Sequence, residues 1–258
     1  MSEKTKRNKL PLFPTLGAVL KKTFKQLYGA MGFSFLLSLA VFIVSLPMIM
    51  AGFGALGYLG AGGKQPDYQM LLPLAVFTMV LLSIWNGLVA APVTTALYGL
   101  YEIQKVDYPN WRNFGTLFRK NYKRSAAVYL VYSFVVTIFL INILIGFSAK
   151  NMLLFIAGIF SLYILILAAM LQFYFHPLIH LDNSFKKVIR KSFLLVLDNI
   201  GLSFWFTVFL GLAPFLLLMI PIPIVVSVLL IVLMFAYGAF IIYLTSHGFE
   251  VIYNKYDE

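Results

Sequence analysis

Six mostly apolar runs, each long enough to cross a bilayer, alternate with short basic segments along this chain. A spanning helix needs about 20 such residues. The runs extend approximately from Gln26 to Met50, Met70 to Leu100, Ser125 to Phe147, Met152 to Ile179, Gly201 to Ile220 and Ile224 to Ser246. In hydrocarbon every backbone N–H and C=O must be satisfied within the protein, which leaves helices as the structure for runs of this length. The first run is too long for the apolar core of a signal peptide and reads as a retained span. Pro221-Ile222-Pro223 separates the last two runs, and proline there favours a tight turn between paired helices.

The basic segments set the expected orientation. Of the 20 Lys and Arg residues, 18 fall in the two termini and in alternate connections, leaving Lys64 and Lys150 on the other side. Because translocating positive charge is disfavoured, both termini are expected in the cytoplasm.

A basic motif recurs as Lys21-Lys22-Thr23-Phe24-Lys25, Arg119-Lys120-Asn121-Tyr122-Lys123 and Lys186-Lys187-Val188-Ile189-Arg190. The first two copies extend upstream through Pro11/Pro109, Phe13/Trp111, Leu16/Phe114 and Gly17/Gly115. Around the second copy Tyr108, Trp111, Phe114, Leu117, Phe118 and Tyr122 fall at three- and four-residue spacing among cations, the pattern of an interfacial amphipathic helix. Pro109 or Asn110 would start it. The same reading covers Phe13 to Phe24 and Asn183 to Leu197.

The expected fold is thus an all-α integral membrane protein. Six transmembrane helices form three hairpins, each preceded by a basic interfacial amphipathic helix, with pseudo-repeat units of about 10–100, 108–180 and 182–250 in one polytopic domain. Lys21, Lys22, Lys25, Arg119, Lys120, Lys123, Lys186, Lys187 and Arg190 are expected to contact anionic headgroups. Six glycines between Ala51 and Gln69 read as a mobile external loop.

Composition narrows the function classes. Charged residues make up 11% of the chain, against about 25% in ordinary soluble domains. The net charge of +11 flanks apolar runs, so its partner is the bilayer and not nucleic acid. Without cysteine there is no disulfide framework, thiolate nucleophile or Cys-based metal site. No phosphate-binding glycine loop, nucleophile elbow or His-Glu-x-x-His signature occurs, and no cofactor is indicated.

Polar groups inside spans are costly and mark candidate sites. No Asp, Glu, Lys or Arg lies at mid-span, which argues against a proton-coupled pump. Asn86, Asn142, Gln172, His176, His247 and Glu250 remain as residues of a candidate polar path, or as interhelical hydrogen-bonding groups. His176 and His180 share a helix face at i and i+4 and, with Asp182, Glu102 or the same-face pair His247/Glu250 as further ligands, form a candidate metal site. Leu181-Asp182-Asn183-Ser184 also reads as the cap of the following helix.

Ala91-Pro92-Val93-Thr94-Thr95-Ala96-Leu97-Tyr98, then Trp111-Arg112-Asn113-Phe114 and Phe118-Arg119-Lys120-Asn121-Tyr122, resembles the YesL-like family of bacterial integral membrane proteins. Phe175-His176-Pro177-Leu178 and Phe185-Lys186-Lys187 are similar to its second half, so that the likeness covers residues 70 to 200. The resemblance implies a multi-pass protein of a bacterial cytoplasmic membrane, associated with carbohydrate uptake, with no catalytic residues to carry over. The leading functional reading is a non-enzymatic accessory or regulatory component of a membrane complex, with a membrane-protein partner or a second copy of itself. The alternatives are a small six-helix transporter or channel, and an intramembrane enzyme acting through His176, His180, Asp182 and Glu250.

Overall fold

A computed structural model describes residues 10–60, 68–106, 111–148, 151–181, 183–212 and 233–256, and every regular element among them is helical. In chain order these are α1 (Leu12–Gly29), α2 (Met31–Gly60), α3 (Tyr68–Trp85), α4 (Ala91–Gln104), α5 (Trp111–Ser148), α6 (Met152–His180), α7 (Phe185–Asp198), α8 (Ile200–Thr207) and α9 (Gly238–Asn254). π-helical turns occupy Asn86–Ala90, Val208–Leu212 and Leu233–Tyr237.

Five of the helical segments are long and apolar enough to cross a membrane, and a sixth arises if α7 and the bent helix after it count as one. The outward faces of α3, α5 and α6 carry exposed large apolar side chains such as Phe77, Ile138 and Phe160. In water such a surface would be an aggregation hazard; in lipid it is the ordinary exterior of a span. The turn expected at Pro221-Ile222-Pro223 and the candidate ligand Asp182 lie outside the described residues.

α4, α6 and α9 each touch the other two and form the centre of the bundle. Leu100, Tyr101, Phe175, Leu178, Tyr243 and Leu244 of these three helices are all essentially inaccessible. The remaining helices surround this trio in a cyclic order. α2 lies along α9, where Ser34 Oγ is 2.8 Å from Tyr243 Oη and Ser38 Oγ accepts from Ala239 N at 2.9 Å. α8 lies against α6, joined by Ser203 Oγ to Tyr174 Oη at 2.6 Å. α5 lies against α4 and the π turn before it, through Ser125 to Thr95 at 3.0 Å and Asn86 Nδ2 to Ser133 Oγ at 2.8 Å.

The basic segments behave in two ways. α1 and α7 are separate helices, each ending at a single junction residue before the next helix starts. Ala30 (φ −126°, ψ 46°) and Asn199 (φ −132°, ψ 40°) adopt nearly the same conformation there. Each caps the helix behind it and accepts from the residue four positions ahead, Ser34 or Ser203. α7 meets the next helix at 104°. The segment expected as a third separate helix instead forms the start of α5 and continues without a break to Ser148. Its length, 38 residues, is about 57 Å, well beyond the roughly 30 Å of a hydrocarbon core. The difference lies in the local sequence. Gly29 and Gly32 flank Ala30 and Asp198 precedes Asn199, whereas Tyr122 to Leu130 holds only residues that continue a helix.

Two further expectations change. The helix of α2 runs through Gly52, Gly54 and Gly57 to Gly60, so half of the expected glycine loop is helical. Ala51, Phe53, Leu56 and Leu59 make that stretch apolar, and backbone in an apolar medium closes its own hydrogen bonds. At the end of α6, Ser184 occupies the N-cap position of α7 without a side-chain bond, while Asn183 turns back so that its Nδ2 donates to Leu178 O at 2.8 Å. Asn183 thus caps the helix behind it.

α5 and α6 pack antiparallel, and their backbones approach closely at Gly146 and Gly158. A Cβ on Gly146 would lie 2.6 Å from Leu154 O and 2.9 Å from Gly158 Cα, both backbone atoms that cannot swing away. Gly17 on α1 has open space around it. Gly146→Ala is therefore expected to cost about 1–3 kcal/mol, whereas Gly17→Ala stabilises by roughly 0.5–1 kcal/mol. Thermal unfolding of the two variants in nanodiscs checks the contrast; equal midpoints would contradict the packing.

Candidate functional site

Charge gathers where α1, α4 and α9 meet. Glu102 and Lys105, three residues apart at the end of α4, face Ser246, His247 and Glu250 of α9, and Lys22 reaches in from α1. Lys105 Nζ lies 2.9 Å from Glu102 Oε2, 2.5 Å from Glu250 Oε1 and 2.5 Å from Ser246 Oγ. Ser246 in turn donates to Glu102 Oε1 at 2.6 Å. On the far side of Glu250, Lys22 Nζ donates to Oε2 at 3.0 Å.

His247 lies deeper. Its Nε2 is 3.1 Å from Tyr101 Oη, and its Nδ1 is 3.5 Å from Glu250 Oε2, near enough for attraction but without hydrogen-bond geometry. Two carboxylates and two ammonium groups thus neutralise one another, the condition for holding charge at the margin of a low-dielectric medium.

Ser246 beside Lys105 is the pairing that serine hydrolases with a lysine base employ. Here it cannot act so. Lys105 has three N–H groups and donates them to Glu102, Glu250 and Ser246, so no lone pair faces the hydroxyl. Ser246 is also fully buried. The ammonium lies between the two carboxylates.

A second polar group lies between α4, α5 and α6. His176 Nδ1 is 2.8 Å from Thr95 Oγ1, and Nε2 is 2.8 Å from Tyr129 Oη. Thr95 donates to Ala91 O, so its oxygen accepts from both His176 Nδ1–H and Ser125. Tyr129 then donates to Nε2; this tautomer follows from the hydrogen count. Both nitrogens of the ring are committed to protein partners. His180, one turn on, lies beside Gly99 and edge-on to Tyr98 at 5.8 Å. α6 continues through Pro177 to His180, so the two histidines keep their shared face, yet among the described residues no group of three His, Asp or Glu is placed to hold a metal.

The other polar-path residues are dispersed. Asn86 bonds Ser133 across the α5 contact, Gln172 is exposed and accepts from Tyr132 Oη at 3.0 Å, and Asn142 is exposed on α5. His247 and Glu250 belong to the charged cluster. Along α5 a file of polar residues at four-residue spacing, Asn121, Ser125, Tyr129, Ser133 and Thr137, faces these partners. Asn121 is 1% exposed, and among the described residues both polar atoms of its amide lack a hydrogen bond.

Sequence reasoning placed His247 and Glu250 on one face and named Glu102, but missed Lys105 and Ser246. The signal was an E-x-x-K pair ending one span and an S-H-x-x-E stretch ending another. No family model matches this chain, and no curated protein or solved structure does either.

Three outcomes follow from this geometry. Lys105→Met leaves Glu102 and Glu250 facing each other without a cation and is expected to cost about 2 kcal/mol, less than a fully buried pair because the groups are partly solvated. Lys22→Met, whose side chain is 59% exposed, costs less than about 1 kcal/mol. Asn121→Leu removes an amide without partners and is expected to raise stability by about 1 kcal/mol. Unfolding midpoints in one lipid composition check all three; a destabilised Asn121→Leu would mean that the amide has a partner.

Proposed function

We propose that this chain is a multi-pass protein of a bacterial cytoplasmic membrane that serves as a non-enzymatic accessory or regulatory subunit of a membrane complex. The observation that carries this reading is the commitment of its deep polar groups. His176 and Asn86 are paired with neighbouring helices, and Glu102, Lys105, Ser246 and Glu250 satisfy one another. A transporter needs polar groups that converge on a path, and an enzyme needs a nucleophile or base with a free valence. These groups serve helix association instead.

The right-angle turn between α7 and α8 supports an in-plane position for α7, with aromatic and basic residues at headgroup depth. The charge distribution supports placing this basic end in the cytoplasm. The resemblance to the YesL-like family extends the proposal to carbohydrate-uptake complexes.

The test is isolation of the chain from its native membrane in nanodiscs, after mild crosslinking, alongside sugar and ion flux into proteoliposomes holding the chain alone. A stoichiometric membrane-protein partner and flux equal to empty vesicles are expected. Flux by the isolated chain, with no partner recovered, would overturn the reading in favour of a transporter or channel.

A further inference from the structure

The junction residues Ala30 and Asn199 provide a register between the first and third basic helices that differs from the sequence motif by one helical turn. With Ala30 set against Asn199, Val19, Lys22, Phe24, Gly32 and Ser34 meet identical residues at Val188, Lys191, Phe193, Gly201 and Ser203. Thr23 meets Ser192, Lys21 meets Arg190 and Leu37 meets Phe206. Burial follows the same register: Val19, Thr23 and Leu37 are buried, as are Val188, Ser192 and Phe206. So do contacts, since Ser34 and Ser203 each reach a tyrosine on a central helix. In α5 the corresponding residues are Arg119, Lys120, Asn121 and Tyr122, with Asn121 again buried.

In this register each basic helix turns a buried small polar residue inward, Thr23, Asn121 or Ser192, and a cation with an aromatic three residues later outward. The outward pairs are Lys21 with Phe24, Arg119 with Tyr122, and Arg190 with Phe193. Residues i and i+3 share one helix face. Phe24 is 50% exposed and Phe193 42% exposed, while Tyr122 is half-buried against Phe118. A second exposed cation sits one turn away in each case: Lys25, Lys123, or Lys186 and Lys187.

Lys21, Arg119 and Arg190 make no ion pair or side-chain hydrogen bond among the described residues, whereas their neighbour Lys22 is taken by Glu250. α1 packs on α9, the start of α5 on α4, and α7 on α6, so the three faces surround the central trio at its charged end. Exposed cations without protein partners among the described residues, beside aromatics and bordering an apolar surface, match a phosphodiester with acyl chains below it.

We propose that these faces are three equivalent sites, each binding the phosphodiester of one anionic phospholipid: Lys21, Phe24 and Lys25; Arg119, Tyr122 and Lys123; and Arg190 and Phe193 with Lys186 and Lys187. The inference rests on the chain being a membrane protein, and it does not depend on what partner it serves.

Native mass spectrometry of the whole chain, released from micelles containing phosphatidylglycerol or phosphatidylcholine, tests it. Three phosphatidylglycerol molecules are expected to survive the collision energy that strips phosphatidylcholine. The double variants Lys21→Gln/Lys25→Gln, Arg119→Gln/Lys123→Gln and Lys186→Gln/Arg190→Gln should each lower the retained number by one and weaken that site roughly thirtyfold, at about 1 kcal/mol per cation. Lys255→Gln, at the same end but off these faces, should leave the number at three. Equal retention of both lipids, or a count unchanged by any double variant in protein with wild-type unfolding midpoint, would overturn the proposal. A count of three alongside autonomous solute flux would keep the sites and sink the accessory role.

Discussion

A chain surrounded by hydrocarbon must satisfy its polar groups from within, and the structure follows that constraint with few exceptions, the buried Asn121 amide among them. The backbone answers with helices even where the sequence is glycine-rich, as from Gly52 to Gly60. Side chains answer by pairing across helix contacts: Ser34 with Tyr243, Ser203 with Tyr174, Ser125 and His176 with Thr95. Where full charges approach the membrane margin, they do so as a neutral set around Lys105. Each pairing also fixes one helix against another, so the same bonds that avoid a desolvation penalty define the cyclic order of the bundle.

α9 shows how the constraint selects the centre. Its segment, Phe235–Asn254, has the lowest hydropathy of the five spans and the largest buried share, 61% of its most apolar window. Tyr243, Thr245, Ser246, His247 and Glu250 would be costly facing lipid, so this helix sits inside, with α1, α2, α4 and α6 around it. The most apolar helix, α6, can afford an open face, and it carries one along Leu154, Phe160 and Tyr163. Hydropathy therefore sorts helices by position in the bundle as well as by presence in the membrane.

Much of this was legible in advance. The apolar runs near α2, α4, α5, α6 and α9, and the separate basic helices α1 and α7, follow from length and spacing alone. The continuity of α5 was hidden because amphipathic periodicity and apolar periodicity join without a change of helix; only a missing breaker after Asn121 marks it. The cluster around Lys105 was hidden because Glu102 and Ser246 lie far apart in sequence, and nothing in spacing brings two span ends together. The register of the third basic copy was displaced because Lys186-Lys187 mimics a pair whose structural counterpart is Arg190-Lys191. Burial of Ser192 and the junction at Asn199 decide that register, and both are tertiary facts.

The proposed orientation puts one end of the bundle, with α1, α7, the start of α5 and the tail of α9, on the cytoplasmic face. Since the chain contains no cysteine, single-cysteine variants report side directly. With an impermeant maleimide on intact cells and on inverted vesicles, cysteines replacing Lys25, Lys123, Lys187 and Lys255 should label only in inverted vesicles, and one replacing Met152 only in intact cells. Labelling of any of the first four from outside, or of the last from inside, would contradict the account.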